Sequence, residues 1–354
     1  MCIRDSPSIC RSGDDFYLIN STFEYFPGIP VYHSRDLVNW ELIGNALHSV
    51  NQNVAMDSIN SSAGIHAPTI RYHKGLFYII TTNNLNGKMI NFIITAEDPS
   101  GPWSEAYFLK DAPGIDPSLF FDDNGKVWYT GSHVPPDPEF DGQAEIWMQE
   151  LDLNQMQLVG EKYYLTRGFS GGTWAEGPHI YKHENYYYLM ISEGGTLHNH
   201  AVTISASKTI TGPYIANARN PILTHRHLSL NHPIIAVGHG DLVQTKNNDW
   251  YMVALGFRPI DNKYKNLGRE TFLIPVVWET EPYWWKDEKV SWPVCSQRTG
   301  RVEFEYPLPF PGTIQVKQNE FFDSFDDNKL NVEWNFRRTP TINFYSLKEI
   351  SVFL

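Results

Sequence analysis

Two acidic residues stand where acid–base chemistry is feasible. Glu176 lies in TWAEGPHIY, flanked by Trp174 and apolar neighbours. A carboxyl in such company has a raised pKa and can serve as a general acid, although the same residue can simply cap a loop amide. Asp116 lies in GIDPSLFFDDNGK, where an Asp before Pro also reads as a turn residue. Asp122 and Asp123 belong to the DDNG turn that follows and read as structural. A pair of carboxylates across a pocket is what hydrolysis of a glycosidic bond requires. Phe23, Tyr25, Phe26 and Trp174 are available as walls for a sugar ring. His239 in AVGHGDLV reads as a ligand, a charged partner or a packed core histidine. Arg269 in LGRETF follows a glycine and can fork onto a hydroxyl pair or a carboxylate, or form a surface salt bridge. His198-Asn199-His200 and His225-Arg226-His227 have metal-like spacing without a matching third ligand, so they read as loop histidines rather than a zinc site.

The elements that must position these residues are strands. Helical periodicity is scarce, and short runs rich in Tyr, Phe, Ile, Val and Thr recur between Gly, Asn, Asp and Pro. Five of them (DDFYLINSTF, GLFYIITTNN, KVWYTGSHV, NYYYLMISEGG and NDWYMVALGF) are copies of one pattern. They align Tyr17, Tyr78, Tyr129, Tyr188 and Tyr251 at spacings of 61, 51, 59 and 63 residues. A period of this size in an all-β chain predicts a five-bladed β-propeller. A second register runs 10 to 12 residues upstream, at Pro7-Ser8-Ile9, Pro68-Thr69-Ile70, Pro117-Ser118-Leu119, Pro178-His179-Ile180 and Gly240-Asp241-Leu242. There the innermost strand of each blade should begin, near the mouth of the central channel. His66, Asp116, Glu176 and His239, each from a different blade, are therefore expected to converge on one axial pocket.

The composition agrees. The chain has 354 residues, 42% hydrophobic and 19% charged, which is a globular balance, and its net charge is −12. That sign argues against nucleic acid or an anionic membrane as partner. No apolar run approaches the ~20 residues of a membrane span. The opening MCIRDSPSIC lacks the apolar stretch of a secretory signal, which favours the cytoplasm, although the N-terminus reads as incomplete. Three cysteines without a CxxC pair read as reduced thiols. Three prolines at alternate positions in Tyr306–Gly312 mark a linker. The expected domains are a propeller over residues 1–312 and, over 313–354, the beginning of an incomplete C-terminal β-sandwich that is weakly packed.

Up to about residue 312 the chain resembles the catalytic propeller of glycoside hydrolase family 43, in its two-domain β-xylosidase and α-L-arabinofuranosidase branch. The motifs that carry the resemblance are PSICRSGDDFYL, STFEYFPGIPVYHSRDLVNW, APTIRYHKGLFY, IDPSLFFDDNGK, AEGPHIYK, SEGGT, AVGHGDLV and LGRETFLIPVVW. The resemblance implies an inverting exo-hydrolase acting on xylo-oligosaccharides or arabinoxylan-derived substrate, and in the full-length protein a homo-oligomer. Glu176 resembles the general acid and Asp116 the second Asp that tunes and orients it. Arg269 resembles the substrate-binding arginine, and Phe23 the apolar wall of the sugar subsite. His239 resembles the axial histidine associated with a structural Ca2+ ion, which would otherwise be held by water. The tail from Phe321 resembles the start of the branch's β-sandwich.

At two places the sequence departs from that pattern. The family carries its catalytic base in an Asp-Pro-Ser-Ile motif, whereas this chain reads Ser6-Pro7-Ser8-Ile9 with Asp5 one residue early. His66 stands where an aromatic usually precedes Ala-Pro, which ties it to sugar preference. Adjacent strand residues face opposite ways, so Asp5 is expected to point off the axis. The chain is then expected to bind pentosides but hydrolyse them slowly or not at all, the alternative being a non-catalytic pentoside-binding propeller.

Overall fold

The computed structural model describes residues 5–261, 263–282, 289–314, 316, 321–342 and 344–347. Five antiparallel sheets follow one another along the chain. Blade one consists of Asp5–Ser12, Asp15–Ser21, Gly28–Ser34 and Glu41–Leu47. Blade two consists of Gly64–His73, Leu76–Leu85, Lys88–Ala96 and Tyr107–Phe108. Ile115–Phe121, Val127–His133, Glu145–Asp152 and Gln157–Thr166 form blade three. Glu176–His183, Tyr186–Glu193, Ala201–Ser207 and Ile215–Ala216 form blade four, with Leu223–Thr224 added beside its third strand. Blade five is Ile235–Gln244, Trp250–Phe257, Arg269–Pro282 and Lys289–Cys295. The first strand of each blade touches that of the next, and the fifth touches the first, so the ring closes around an axis. The expected five-bladed propeller is present.

Strand alternation builds the core. Phe77 and Ile79 face the apolar layer shared with blade one, while Tyr78 and Ile80 face the layer shared with blade three. Equivalent layers lie between blades three and four, four and five, and five and one. The aligned tyrosines each face the following blade, with one exception. The blade-three hairpin turns through Asp122–Lys126, closed by the Asp122 N–H on the Lys126 carbonyl at 2.9 Å. Blade two turns through Lys74 and Gly75 alone, both at positive φ, as a tight two-residue hairpin prefers. Blade five has an equally long turn, Thr245–Asp249, and keeps its tyrosine in the common slot; in blade three Val127 takes the place of the first aromatic, so the aromatic pair falls one residue later in the strand. Trp128 takes the slot that Tyr17, Tyr78, Tyr188 and Tyr251 occupy, and Tyr129 faces back toward blade two. Asp122 and Asp123 are turn residues, as read. Cys10 and Cys295 are free and buried, and Cys2 lies outside the described residues.

No helix among the described residues is long and apolar enough to cross a membrane. Past the fifth blade, Val302 is buried between blades four and five, and Phe310 packs on Phe16 with ring centroids 6.2 Å apart. Over residues 313–354 the strand described is Phe336–Arg337, which pairs antiparallel with Tyr25–Phe26 of blade one. Phe322 is largely exposed, as weak packing would have it. The stretch 335–339, however, is hydrogen-bonded to the 24–27 segment of blade one and to the connection that leads into blade two. Tyr25–Phe26 lies outside its blade's own ladder, and its free backbone groups recruit the tail.

Candidate active site

All five inner strands break register at the same place. The ladder slips between Asp5 and Ser8, His66 and Thr69, Ile115 and Ser118, Glu176 and His179, and Gly238 and Asp241. The second residue of each slip has positive φ: Ser6 at 44°, Ala67 at 38°, Asp116 at 53°, Gly177 at 57° and His239 at 50°. In four blades the next residue is a proline, which cannot donate to the ladder. Such bulges re-aim side chains, and here five of them surround the axis at one level.

Asp116 and Glu176 meet there. Asp116 Oδ2 accepts the Gly177 N–H at 3.0 Å, so one carboxylate is anchored to the backbone beside the other. Burial pushes the Glu176 carboxyl up, the charge of Asp116 pushes it further, and Arg269 opposes both. Asp116 is itself raised by burial, against the Gly177 hydrogen bond. His239 donates its backbone N–H to Ser192 Oγ at 2.8 Å, and its ring lies against Gly177. A Cβ on residue 177 would stand 3.1 Å from that ring, and glycine also suits the φ of 57°. Burial, with His179, His200 and Arg269 nearby, keeps His239 neutral far below the usual imidazole range.

Asp5 does not point off the axis. It is almost wholly buried, and its Oδ2 is ion-paired with Arg269 Nη2. Its charge is felt by both Asp116 and Glu176. The alternation that would have turned Asp5 away holds only in a regular strand, and the bulge at Ser6 breaks it. Burial raises the Asp5 carboxyl, with Arg269 opposing. Arg269 opens a strand of blade five, paired with Phe257, although the glycine before it suggested a loop.

The flanking groups come from the Phe23 and Trp174 loops and from His66 at the start of blade two's first strand. Phe23 is at φ 51°, and its backbone N–H and C=O both pair with Ile65 at 3.0 Å. Its ring meets the His66 ring edge-on at 5.2 Å, and His66 Nε2 lies 3.2 Å from the Ser62 carbonyl. Burial lowers the His66 pKa, so the ring is a neutral, half-buried face. Trp174, two residues before Glu176, is 43% exposed. Its N–H bonds the Gly142 carbonyl at 2.6 Å, and its indole covers Gly142 and Gly195, where a Cβ would come within 2.8 and 3.2 Å of the ring. Behind it, the buried Glu193 accepts from the Phe169 and Ser170 amides at 2.6 and 2.9 Å, fixing the loop that leads to Trp174.

Below the bulges lies a polar network that single motifs did not disclose. Asp241 takes a two-pronged ion pair from Arg71 at 2.8 and 3.1 Å, and hydrogen bonds from Ser8 Oγ at 2.6 Å and Tyr181 OH at 2.6 Å. Arg71 Nη2 also reaches His179 Nδ1 at 2.9 Å, which Ser118 Oγ approaches at 3.0 Å. All five blades contribute a member. Among the described residues no three His, Cys, Asp or Glu side chains come together to hold a metal. A calcium at His239 would thus have that neutral ring as its protein ligand and water for the remainder. His200 and His225 are in loops but buried, bonded to the Ala236 and Ile234 carbonyls.

Comparison with known proteins adds the following. Residues 3–282 match the glycosyl hydrolases family 43. The chain is 46% identical to a xylosidase/arabinosidase of Butyrivibrio fibrisolvens, covering 98% of this chain and 66% of that protein. It is 42% identical to the non-reducing end alpha-L-arabinofuranosidase BoGH43B of Bacteroides ovatus, covering 97% and 61%. The solved structure of the Bacteroides ovatus xyloglucan PUL GH43B superposes with a TM-score of 0.84 at 41% identity, covering 98% of this chain and 65% of that one. The chain thus spans slightly less than two thirds of the length of these relatives.

Proposed function

The chain belongs to glycosyl hydrolases family 43, and on that premise we propose that it is an inverting exo-acting glycoside hydrolase releasing xylose or arabinose from xylo-oligosaccharides or arabinoxylan. The observation that carries this reading is the half-buried Glu176 beside Asp116, which is anchored on the Gly177 amide, a carboxyl raised so that it keeps its proton toward neutral pH. Glu176 delivers that proton to the glycosidic oxygen as the C–O bond breaks. A water attacks the anomeric carbon from the opposite face and surrenders its proton to a second carboxylate, which inverts the configuration. In this reading Asp5 receives that proton, since Ser6 has no carboxylate and Asp5 is buried beside Arg269 within reach of the charges of Asp116 and Glu176. Asp116 keeps Glu176 protonated, and Arg269 holds Asp5 and neutralises part of the carboxylate charge. Phe23, His66 and Trp174 wall the sugar. The relatives named for xylosidase and arabinofuranosidase activity support a pentoside substrate. A calcium held by His239 and water would add positive charge on the axis, and loss of bound calcium on dialysis against chelator is the measurement for it.

A second reading, a propeller that binds pentosides with little turnover, is favoured by Ser6 in the slot equivalent to Asp116 and by the tie between Asp5 and Arg269. Chromogenic xylosides and arabinofuranosides, with xylobiose calorimetry alongside, separate the two. If Asp5 is the base, Asp5→Asn loses about 10²–10⁴ in turnover while Ser6→Asp gains little. If the native chain binds xylobiose without turnover and Ser6→Asp restores it, the second reading holds.

A further inference from the structure

We propose that the C-terminal stretch 335–339 sets the position of the Phe23–His66 sugar wall, with Arg337 and Arg338 as positioning residues. The proposal rests on the reading of Phe23 and His66 as a pentoside subsite. The stretch crosses two loops at once. On one side, Phe336 and Arg337 pair with Phe26 and Tyr25, the Arg338 N–H bonds the Glu24 carbonyl at 2.7 Å, and Asn335 Nδ2 bonds the Pro27 carbonyl at 2.9 Å. On the other side, Arg338 Nε donates to the Ile59 carbonyl, Arg337 Nη2 to Ser61 Oγ, and the Thr339 N–H to the Met56 carbonyl at 3.2 Å.

The two loops carry the wall. Phe23 adjoins the first, and the second ends at Ser62, whose carbonyl holds His66 Nε2. Between them lies Glu24, only 2% exposed, with Oε2 accepting the Ser62 N–H at 3.1 Å and Oε1 3.9 Å from Arg337 Nε. A buried carboxylate needs such compensation. Without Arg337, Glu24 keeps the Ser62 amide but loses its nearby cation. Phe23 is a non-glycine residue at φ 51°, a conformation that persists only where its surroundings over-determine it. The tail supplies part of that determination, and no atom of it need touch the sugar.

The test is the double variant Arg337→Ala/Arg338→Ala, with Arg338→Lys as the conservative partner. Amide hydrogen exchange at Phe23 and Ile65 reads the wall directly, and xylobiose calorimetry with KM and kcat on chromogenic pentosides reads its use. We expect exchange at both amides to quicken, Kd and KM to rise about tenfold with kcat nearly unchanged, and Arg338→Lys to recover part of the loss. Unchanged exchange overturns the proposal whether or not the chain turns over. Faster exchange with unaltered xylobiose affinity overturns it as well. A native chain that binds no pentoside overturns the subsite reading itself, and the proposal with it.

Discussion

Asp116 acts on Glu176 in two ways, through the backbone it anchors at Gly177 and through its charge. The charge can be removed alone. Asp116→Asn takes away a negative neighbour, so the Glu176 pKa falls, and the alkaline limb of kcat/KM should move to lower pH. An unmoved limb would mean that another group sets it. The sign for stability follows from the same shift. Glu176 is raised above its ordinary value of 4.5, so the native state holds a proton that the unfolded chain has released. Its contribution is therefore complete below that value and is lost as pH rises through the folded-state pKa. Glu176, Asp116, Arg269 and His239 were legible because each sits in a distinctive short motif. Asp5 was not. Its neighbours suggested a regular strand, and only a bulge, which depends on the ladder opposite, turns its carboxylate inward.

At the scale of elements, the bulges and the loop clamps decide what the site can hold. Gly64 shows how tight the clamp is: its φ is +89°, and a Cβ there would lie 2.2 Å from the Phe23 carbonyl oxygen. Gly64→Ala should therefore push the Phe23 loop outward and cost about 1–3 kcal/mol. Thermal unfolding and KM measured together check this, with Tm expected to fall and KM to rise. An Ala variant matching the native chain in both would show that the loop yields freely. The five hairpins were legible from their aromatic pairs because the inter-blade layers demand an apolar residue at each alternate position. The one-residue displacement in blade three was not, since matching its aromatic pair to the others hides that Val127 fills the first aromatic's place, which only the pairing with the inner strand reveals. The tail's pairing with Tyr25–Phe26 was equally hidden, because edge pairing leaves no periodic trace in either segment.

Across the whole molecule, closure of the ring depends on packing between blades five and one and on the axial network around Asp241. Burial pushes this carboxyl up, but Arg71 and His179 more than offset that and hold it below the usual range. Breaking a buried pair strands the remaining charge, so Asp241→Asn should cost about 3–5 kcal/mol, read as a lowered denaturant midpoint. A midpoint within error of the native chain would remove the network from the account of stability. The repeat length made the number of blades legible, and four of the network's members, Ser8, Ser118, His179 and Asp241, stand at the middle position of the upstream register; Arg71 and Tyr181 lie outside that position, and which members bond to one another depends on the closed ring. The closed ring brings Glu176 together with Asp116, Asp5 and Arg269, and the proposed function makes Glu176 the proton donor of that group. The most direct test compares Glu176→Gln with the native chain on pentosides of poor and of activated leaving groups. With Glu176 as the donor, kcat/KM falls by about 10²–10⁴ for the poor leaving groups and far less for the activated ones. Equal losses on both would contradict it.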